Sequence, residues 1–175
     1  VYWAPTQVRR ADGTPLTDVV AVYAGQRHSC VLRGPAGARV AECFGQGVNG
    51  ELGDGGAAQR NHPSVEVVGL PGTTIAFANG TSSPNTCAWT SEGRGYCWGR
   101  NSSGLELGTG SSGSVGTATA MPGLTGVVSL SLANFGGCAR VSVGGGAFEP
   151  WCWGQVQGIL WIDGLGGAAQ TARRA

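Results

Sequence analysis

Short apolar runs separated by polar, Gly-rich stretches set the rhythm of this chain. Val19-Val20-Ala21-Val22-Tyr23-Ala24-Gly25 is one run that ends on small residues. Fifty-four positions on stands Thr73-Thr74-Ile75-Ala76-Phe77-Ala78-Asn79, and 54 further on Val127-Val128-Ser129-Leu130-Ser131-Leu132-Ala133. Each run is followed by a turn and a second apolar stretch carrying a Cys. A Gly-rich tip comes next: Gly34-Pro35-Ala36-Gly37, Glu92-Gly93-Arg94-Gly95 and Gly144-Gly145-Gly146. Then come Cys43-Phe44-Gly45, Cys97-Trp98-Gly99 and Cys152-Trp153-Gly154. A polar Gly-rich loop and a last short strand, such as Pro63-Ser64-Val65-Glu66-Val67-Val68, close the unit. Apolar runs this short, bounded by turn residues, predict strands, and few stretches show a period of 3.6 residues.

Four short strands in each repeat of about 54 residues predict an all-β fold of four-stranded antiparallel sheets. One such sheet cannot bury both faces alone. Stacking the sheets radially as blades of a β-propeller buries them. The approximate repeats are 14–72, 73–126 and 127–175, which makes about three blades, a partial propeller or arc. Residues 1–13 are expected to complete a neighbouring blade. The two ends look complementary: Pro5-Thr6-Gln7-Val8 resembles Pro63-Ser64-Val65, while Gly166-Gly167-Ala168-Ala169-Gln170 echoes Gly55-Gly56-Ala57-Ala58-Gln59 and lacks the strand that follows it. The chain is therefore read as an arc of a larger propeller, with head-to-tail association of copies into a ring as the alternative.

Six Cys fall into three near pairs, 13, 10 and 14 positions apart, one pair per repeat. They are read as local disulfides, Cys30–Cys43, Cys87–Cys97 and Cys138–Cys152, across adjacent strands joined by the Gly-rich tip. Reduced structural thiols are the rival reading. Zinc lacks any C-x-x-C pair or paired His. Disulfides persist in oxidising compartments, so the expected location is secreted, periplasmic or cell surface. The chain begins at Val1, with nothing resembling a signal peptide, which fits a removed leader or a piece of a longer chain.

Composition narrows the partners. Only 12% of residues are charged, the formal net charge is +1, and all eleven basic residues are Arg. No clustered positive footprint for nucleic acid is visible, and no apolar run is long enough for a membrane-spanning helix.

Val22-Tyr23-Ala24-Gly25-Gln26-Arg27-His28-Ser29-Cys30-Val31-Leu32, followed by Glu42-Cys43-Phe44-Gly45 and Asn49-Gly50-Glu51-Leu52-Gly53-Asp54-Gly55, resembles one repeat of the RCC1 family (regulator of chromosome condensation). Tyr96-Cys97-Trp98-Gly99-Arg100-Asn101 resembles the same motif's central strand. The likeness covers most of the chain in three copies and is degraded in the third, where Gln155-Val156-Gln157-Gly158-Ile159-Leu160 replaces the loop. The Cys-bearing form is similar to the exported, largely bacterial members. The resemblance implies a propeller, commonly of seven blades. Nucleotide exchange on a small GTPase and inhibition of secreted enzymes occur in the family, but no residues here specify either.

Candidate chemistry is sparse. The resemblance gives His28 a structural role, bonding a neighbouring loop, and His62 precedes Pro63 in a loop. No nucleophile elbow or acid/base pair stands out, so no enzyme activity, catalytic residue or cofactor is expected. Asn49–Gly55 lacks the spacing of a calcium loop and reads as a turn, so no metal is expected. Trp98, Trp153 and Phe44 share one repeat position and read as blade packing. Aromatics that do not recur suit a contact surface better, and the loop Asn79–Asn85 is three residues longer than its equivalent in the first repeat. These points define an expected partner-binding rim of Arg27, Ser82, Ser83, Asn85, Trp89 and Phe135. The expected function is an exported, disulfide-stapled binding module that mediates protein–protein interaction through its loop faces. The alternatives are carbohydrate or cell-envelope binding, with Trp89 and Trp161 stacking on sugars, and a structural arc of a larger surface assembly.

Overall fold

The computed structural model describes residues 4–56, 61–80, 83–102, 104–154 and 169–174. Three four-stranded sheets follow one another, all of them antiparallel. Blade 1 holds β1 (Val19–Ala24), β2 (His28–Arg33), β3 (Val40–Gln46) and β4 (Asn61–Glu66). Blade 2 holds β5 (Thr74–Asn79), β6 (Asn85–Thr90), β7 (Gly95–Gly99) and β8 (Val115–Ala120). Blade 3 holds β9 (Val127–Ala133), β10 (Gly136–Gly144), β11 (Ala147–Gly154) and β12 (Ala169–Arg174). Strand order within each sheet is sequential, so neighbours in sequence pair with one another. No helix occurs among the described residues.

The register repeats from blade to blade. Cys30 faces Cys43, Cys87 faces Cys97 and Cys138 faces Cys152 across the second and third strands. All three pairs are joined as disulfides. The Gly-rich tips between those strands lie at the end of each blade opposite the β1–β2, β5–β6 and β9–β10 turns.

Two cores hold the blades together, one at each junction. Between blades 1 and 2, Leu32, Ala41 and the Cys30–Cys43 bridge meet Phe77, Ala88, Trp98 and Ala118. Between blades 2 and 3, the Cys87–Cys97 bridge, Leu107, Met121 and Leu124 meet Val127, Ala139, Val141 and Trp153. In each case a Trp enters the loop of the preceding blade. The indole N–H of Trp98 donates to the Glu51 carbonyl at 3.0 Å, and that of Trp153 to the Glu106 carbonyl at 3.0 Å. Both indoles are fully buried. A Trp side chain buries about 200 Å², which at about 25 cal/mol per Å² favours the junction by about 5 kcal/mol before conformational entropy is subtracted.

The loop must leave room for the ring. Gly53 and Gly108 adopt φ of 72° and 66°. A Cβ there would lie 2.8 Å from Trp98 Nε1 and 2.7 Å from Trp153 Cγ. The glycines of the polar loop therefore serve a left-handed turn and an indole seat at once. Phe44, at the same repeat position as the two tryptophans, has no N–H to donate and is only half-buried.

One expectation about the ends changes. The tail does not lack its outer strand: β12 pairs with β11, with Trp151 opposite Arg174 and Cys152 opposite Arg173. The Pro-Ser-Val signature sought there is not required, because backbone groups alone make the ladder. The head segment lies along blade 1. Arg9 bridges Pro15, and Arg10 bridges Ser64 of β4 in parallel fashion. It brings Arg10 to Glu42, which stands where blades 2 and 3 carry Tyr96 and Trp151. Glu42 is buried and pairs with Arg33 and, at 3.3 Å, with Arg10. Burial alone would raise its pKa. Hydrogen bonds from Ser64 and Arg33 and the charges of Arg33 and Arg10 outweigh burial and hold it below the ordinary carboxylate value.

The first strands of the three blades, β1, β5 and β9, line an open groove, where Val22, Phe77 and Leu130 come together, and Val22 and Ile75 are exposed.

The indole seat makes a stability prediction. Trp98→Phe leaves a buried carbonyl without its donor and is expected to cost about 1–3 kcal/mol. Trp98→Ala is expected to cost about 3–5 kcal/mol. Gly53→Ala should also destabilise. Urea unfolding of the oxidised chain measures all three, and unchanged midpoints would show that the junction does not depend on the indole.

Candidate functional site

The β1–β2, β5–β6 and β9–β10 turns and the segments that follow Gly45 and Gly99 gather on one face of the arc. The antiparallel register leaves no alternative, since these segments are the ends of strands that pair side by side. Residues far apart in sequence thereby become neighbours.

Arg27 lies in the β1–β2 turn and is exposed, with Nη1 3.4 Å from Gln46 Oε1. Phe135 lies in the β9–β10 turn and is 42% exposed. Arg100 joins the two ends of this rim. Its Nη2 donates to Asn134 Oδ1 at 3.2 Å, and its guanidinium lies 5.6 Å from the centre of the Phe135 ring. Its Nε is 3.8 Å from Oε1 of the fully buried Glu106. Sequence reasoning missed Arg100. The available signal was its place directly after Cys97-Trp98-Gly99, the position of Gln46 in blade 1.

The other rim candidates fall elsewhere. Ser83 and Asn85 are fully buried. Ser83 accepts from the Asn85 backbone N–H at 3.2 Å and shapes the turn from inside. Trp89 is half-buried at the far end of β6 and packs into the junction with blade 3. Ser82 and Trp161 lie outside the described residues.

His28 takes part in the junction of blades 1 and 2. It is 4% exposed, and its Nε2 lies 2.6 Å from Thr86 Oγ1 of β6. Burial pushes its pKa below 6.5, and the nearby Glu51 charge only partly opposes that. Asn85 holds the same repeat position in blade 2. The residue that would answer it in blade 3, at the place of Thr86, is Gly137. Neither Oδ1 nor Nδ2 of Asn85 has a hydrogen-bond partner among the described residues.

Between blades 1 and 2 the rim encloses a polar recess of about 270 Å³ bordered by Arg27, His28, Glu51 and Arg100. Glu51 is 5% exposed, and its carboxylate accepts from the backbone and side-chain N–H of Asn49, each at 2.7 Å. Among the described residues no three His, Cys, Asp or Glu side chains converge to hold a metal ion. No helix among them is long and apolar enough to cross a membrane.

No protein-family model matches the sequence, and no curated protein does. Solved structures do match. Human WBSCR16 superposes with a TM-score of 0.68 at 17% identity over 93% of this chain, and Prp20p from Saccharomyces cerevisiae with 0.70 at 18% over 91%. Yeast RCC1 (Prp20) bound to Kap60 superposes with 0.64 at 18% over 79%. The chain has the RCC1-type propeller fold. It spans 39%, 38% and 32% of the three matched chains, so its three blades form a partial RCC1-type propeller. On this RCC1-type arc the rim of Arg27, Arg100 and Phe135 is the loop face of consecutive blades.

His28 gives the site a pH dependence. Below pH 6.5 the unfolded chain takes up a proton that the folded chain, with its lowered pKa, refuses. Stability is therefore complete above about 6.5 and falls as the pH drops toward the folded-state value. Urea unfolding at about pH 7.5, 6 and 5 should show this loss, and His28→Asn should flatten it over that range. An equal slope in the variant would assign the effect to other groups.

Proposed function

We propose that this chain acts as an exported, disulfide-stapled RCC1-type binding module that engages a protein partner through the loop face bearing Arg27, Arg100 and Phe135. The observation that carries the reading is the aromatic ring of Phe135, 42% exposed at a turn and stacked under a guanidinium that other groups already hold in place. Aromatic residues, Phe among them, and Arg are enriched at the cores of protein interfaces. Three disulfides support an oxidising compartment. The reading contains no catalytic step. Partner binding is also the theme of two matched structures: Prp20p is described with its binding to Gsp1p and histones, and yeast RCC1 is bound to Kap60.

Site-specific crosslinking tests the face. Benzoylphenylalanine placed at Arg27 or Phe135 is expected to trap the same extracellular protein. The same group at Ile75, exposed on the inner groove, should trap nothing. Adding Phe135→Ala should abolish the adduct formed at position 27. Equal adducts at all three positions, or an adduct at Ile75 alone, would refute the assignment.

A further inference from the structure

The polar recess beside the rim is built from two blades, and each contributes an arginine. Arg27 and Gln46 come from blade 1 and Arg100 from blade 2, with buried His28 and Glu51 also in the lining. We propose that this recess receives a carboxylate side chain of the partner between the guanidinium groups of Arg27 and Arg100. This rests on the protein-binding reading above and names the chemistry that reading leaves open.

The open guanidinium donors support an anion. Arg27 has no carboxylate within ion-pair distance among the described residues. Its one side-chain contact, to Gln46 at 3.4 Å, leaves most of its five donors free. Arg100 is oriented in advance by Asn134, Glu106 and the Phe135 ring, so little of its freedom is lost when a ligand arrives. Glu51 is the opposing charge in the lining. Both its oxygens are occupied by N–H groups of Asn49, and with Glu106 beside Arg100 the charges balance, so the attraction for an anion comes from the unpaired donors of Arg27. His28 is turned toward Thr86 and adds no charge while its imidazole is neutral.

Size and shape narrow the ligand. About 270 Å³ is room for a side chain, just below the ~300–1,000 Å³ of pockets that enclose whole small molecules. A carboxylate matches the planar guanidinium fork through paired N–H donors, and two forks from different blades can share one such group. The Phe135 ring next to Arg100 offers apolar contact to the residue beside the acidic one.

Titration of the ¹⁵N-labelled, oxidised chain with a hexaglutamate peptide tests this, with hexaglutamine and inorganic phosphate in parallel. The amide signals of Arg27, Gln46 and Arg100 should shift saturably with hexaglutamate and not with hexaglutamine. Phosphate should act at least about tenfold more weakly. Arg27→Gln and Arg100→Gln should each weaken hexaglutamate binding about tenfold, the loss expected for one charge-assisted contact. Arg94→Gln, on the exposed tip at the opposite end of blade 2, should leave it unchanged. Equal shifts with hexaglutamine, equal binding by phosphate, no loss in Arg27→Gln, or an equal loss in Arg94→Gln would each overturn the proposal. If Arg100→Gln unfolds because buried Glu106 loses its pair, Arg27→Gln decides alone. Crosslinks at Phe135 that persist when hexaglutamate fails to bind would leave the rim standing and remove only the carboxylate pocket.

Discussion

Blades 2 and 3 of this arc each hand one tryptophan to the loop of the blade before, and the other junction contacts are arranged around that contact. The indole fills the space over a left-handed glycine and donates its single N–H to a backbone carbonyl. A loop that curls tightly around a ring would otherwise bury that carbonyl unpaired. The disulfide on the facing blade lies in the same core and ties its two central strands together. Each junction thus joins a covalent clamp on one side to an anchored aromatic on the other.

Departures from the repeat show where the arc is under different demands. Blade 1 carries Phe44 at the tryptophan position and a buried Glu42 between two arginines where its neighbours have aromatics. The His28–Thr86 contact recurs in blade 2 only as half a pair. Asn85 replaces the histidine, and Gly137 offers no hydroxyl to answer it. The loop-face rim follows the same logic. Arg27, Arg100 and Phe135 occupy turns whose backbone course repeats, but each side chain is unique to its blade.

Much of the fold was readable in advance because its signals are short-range and repeat. The cysteines pair within 14 residues, the Gly-rich tips lie between them, and an aromatic follows the second Cys each time, Trp in two of the three repeats. The rim was only partly readable. Arg27 and Phe135 lie in turns on one face. Ser83 and Asn85 lie in the same kind of turn but point inward, and a turn sequence alone does not say which of its polar residues will shape it from inside. Trp89 shows that a non-recurring aromatic can also serve a junction: it packs against the core between blades 2 and 3.

By itself the sequence determined the all-β repeat, the three local disulfides and the residues that anchor one blade to the next. Local spacing suffices for these, since a strand, its hairpin partner and the cysteine opposite are fixed by register within one blade. Only the tertiary structure decided which blades exchange polar contacts. His28 reaches Thr86 across 58 residues, Arg100 reaches Asn134 across 34, and Arg10 reaches Glu42 across 32. It also decided that residues 169–174 supply the fourth strand of blade 3. Those outcomes depend on the rotation between successive sheets and on side-chain direction. A periodic sequence repeats the types of residue involved but does not record how its copies are turned toward one another.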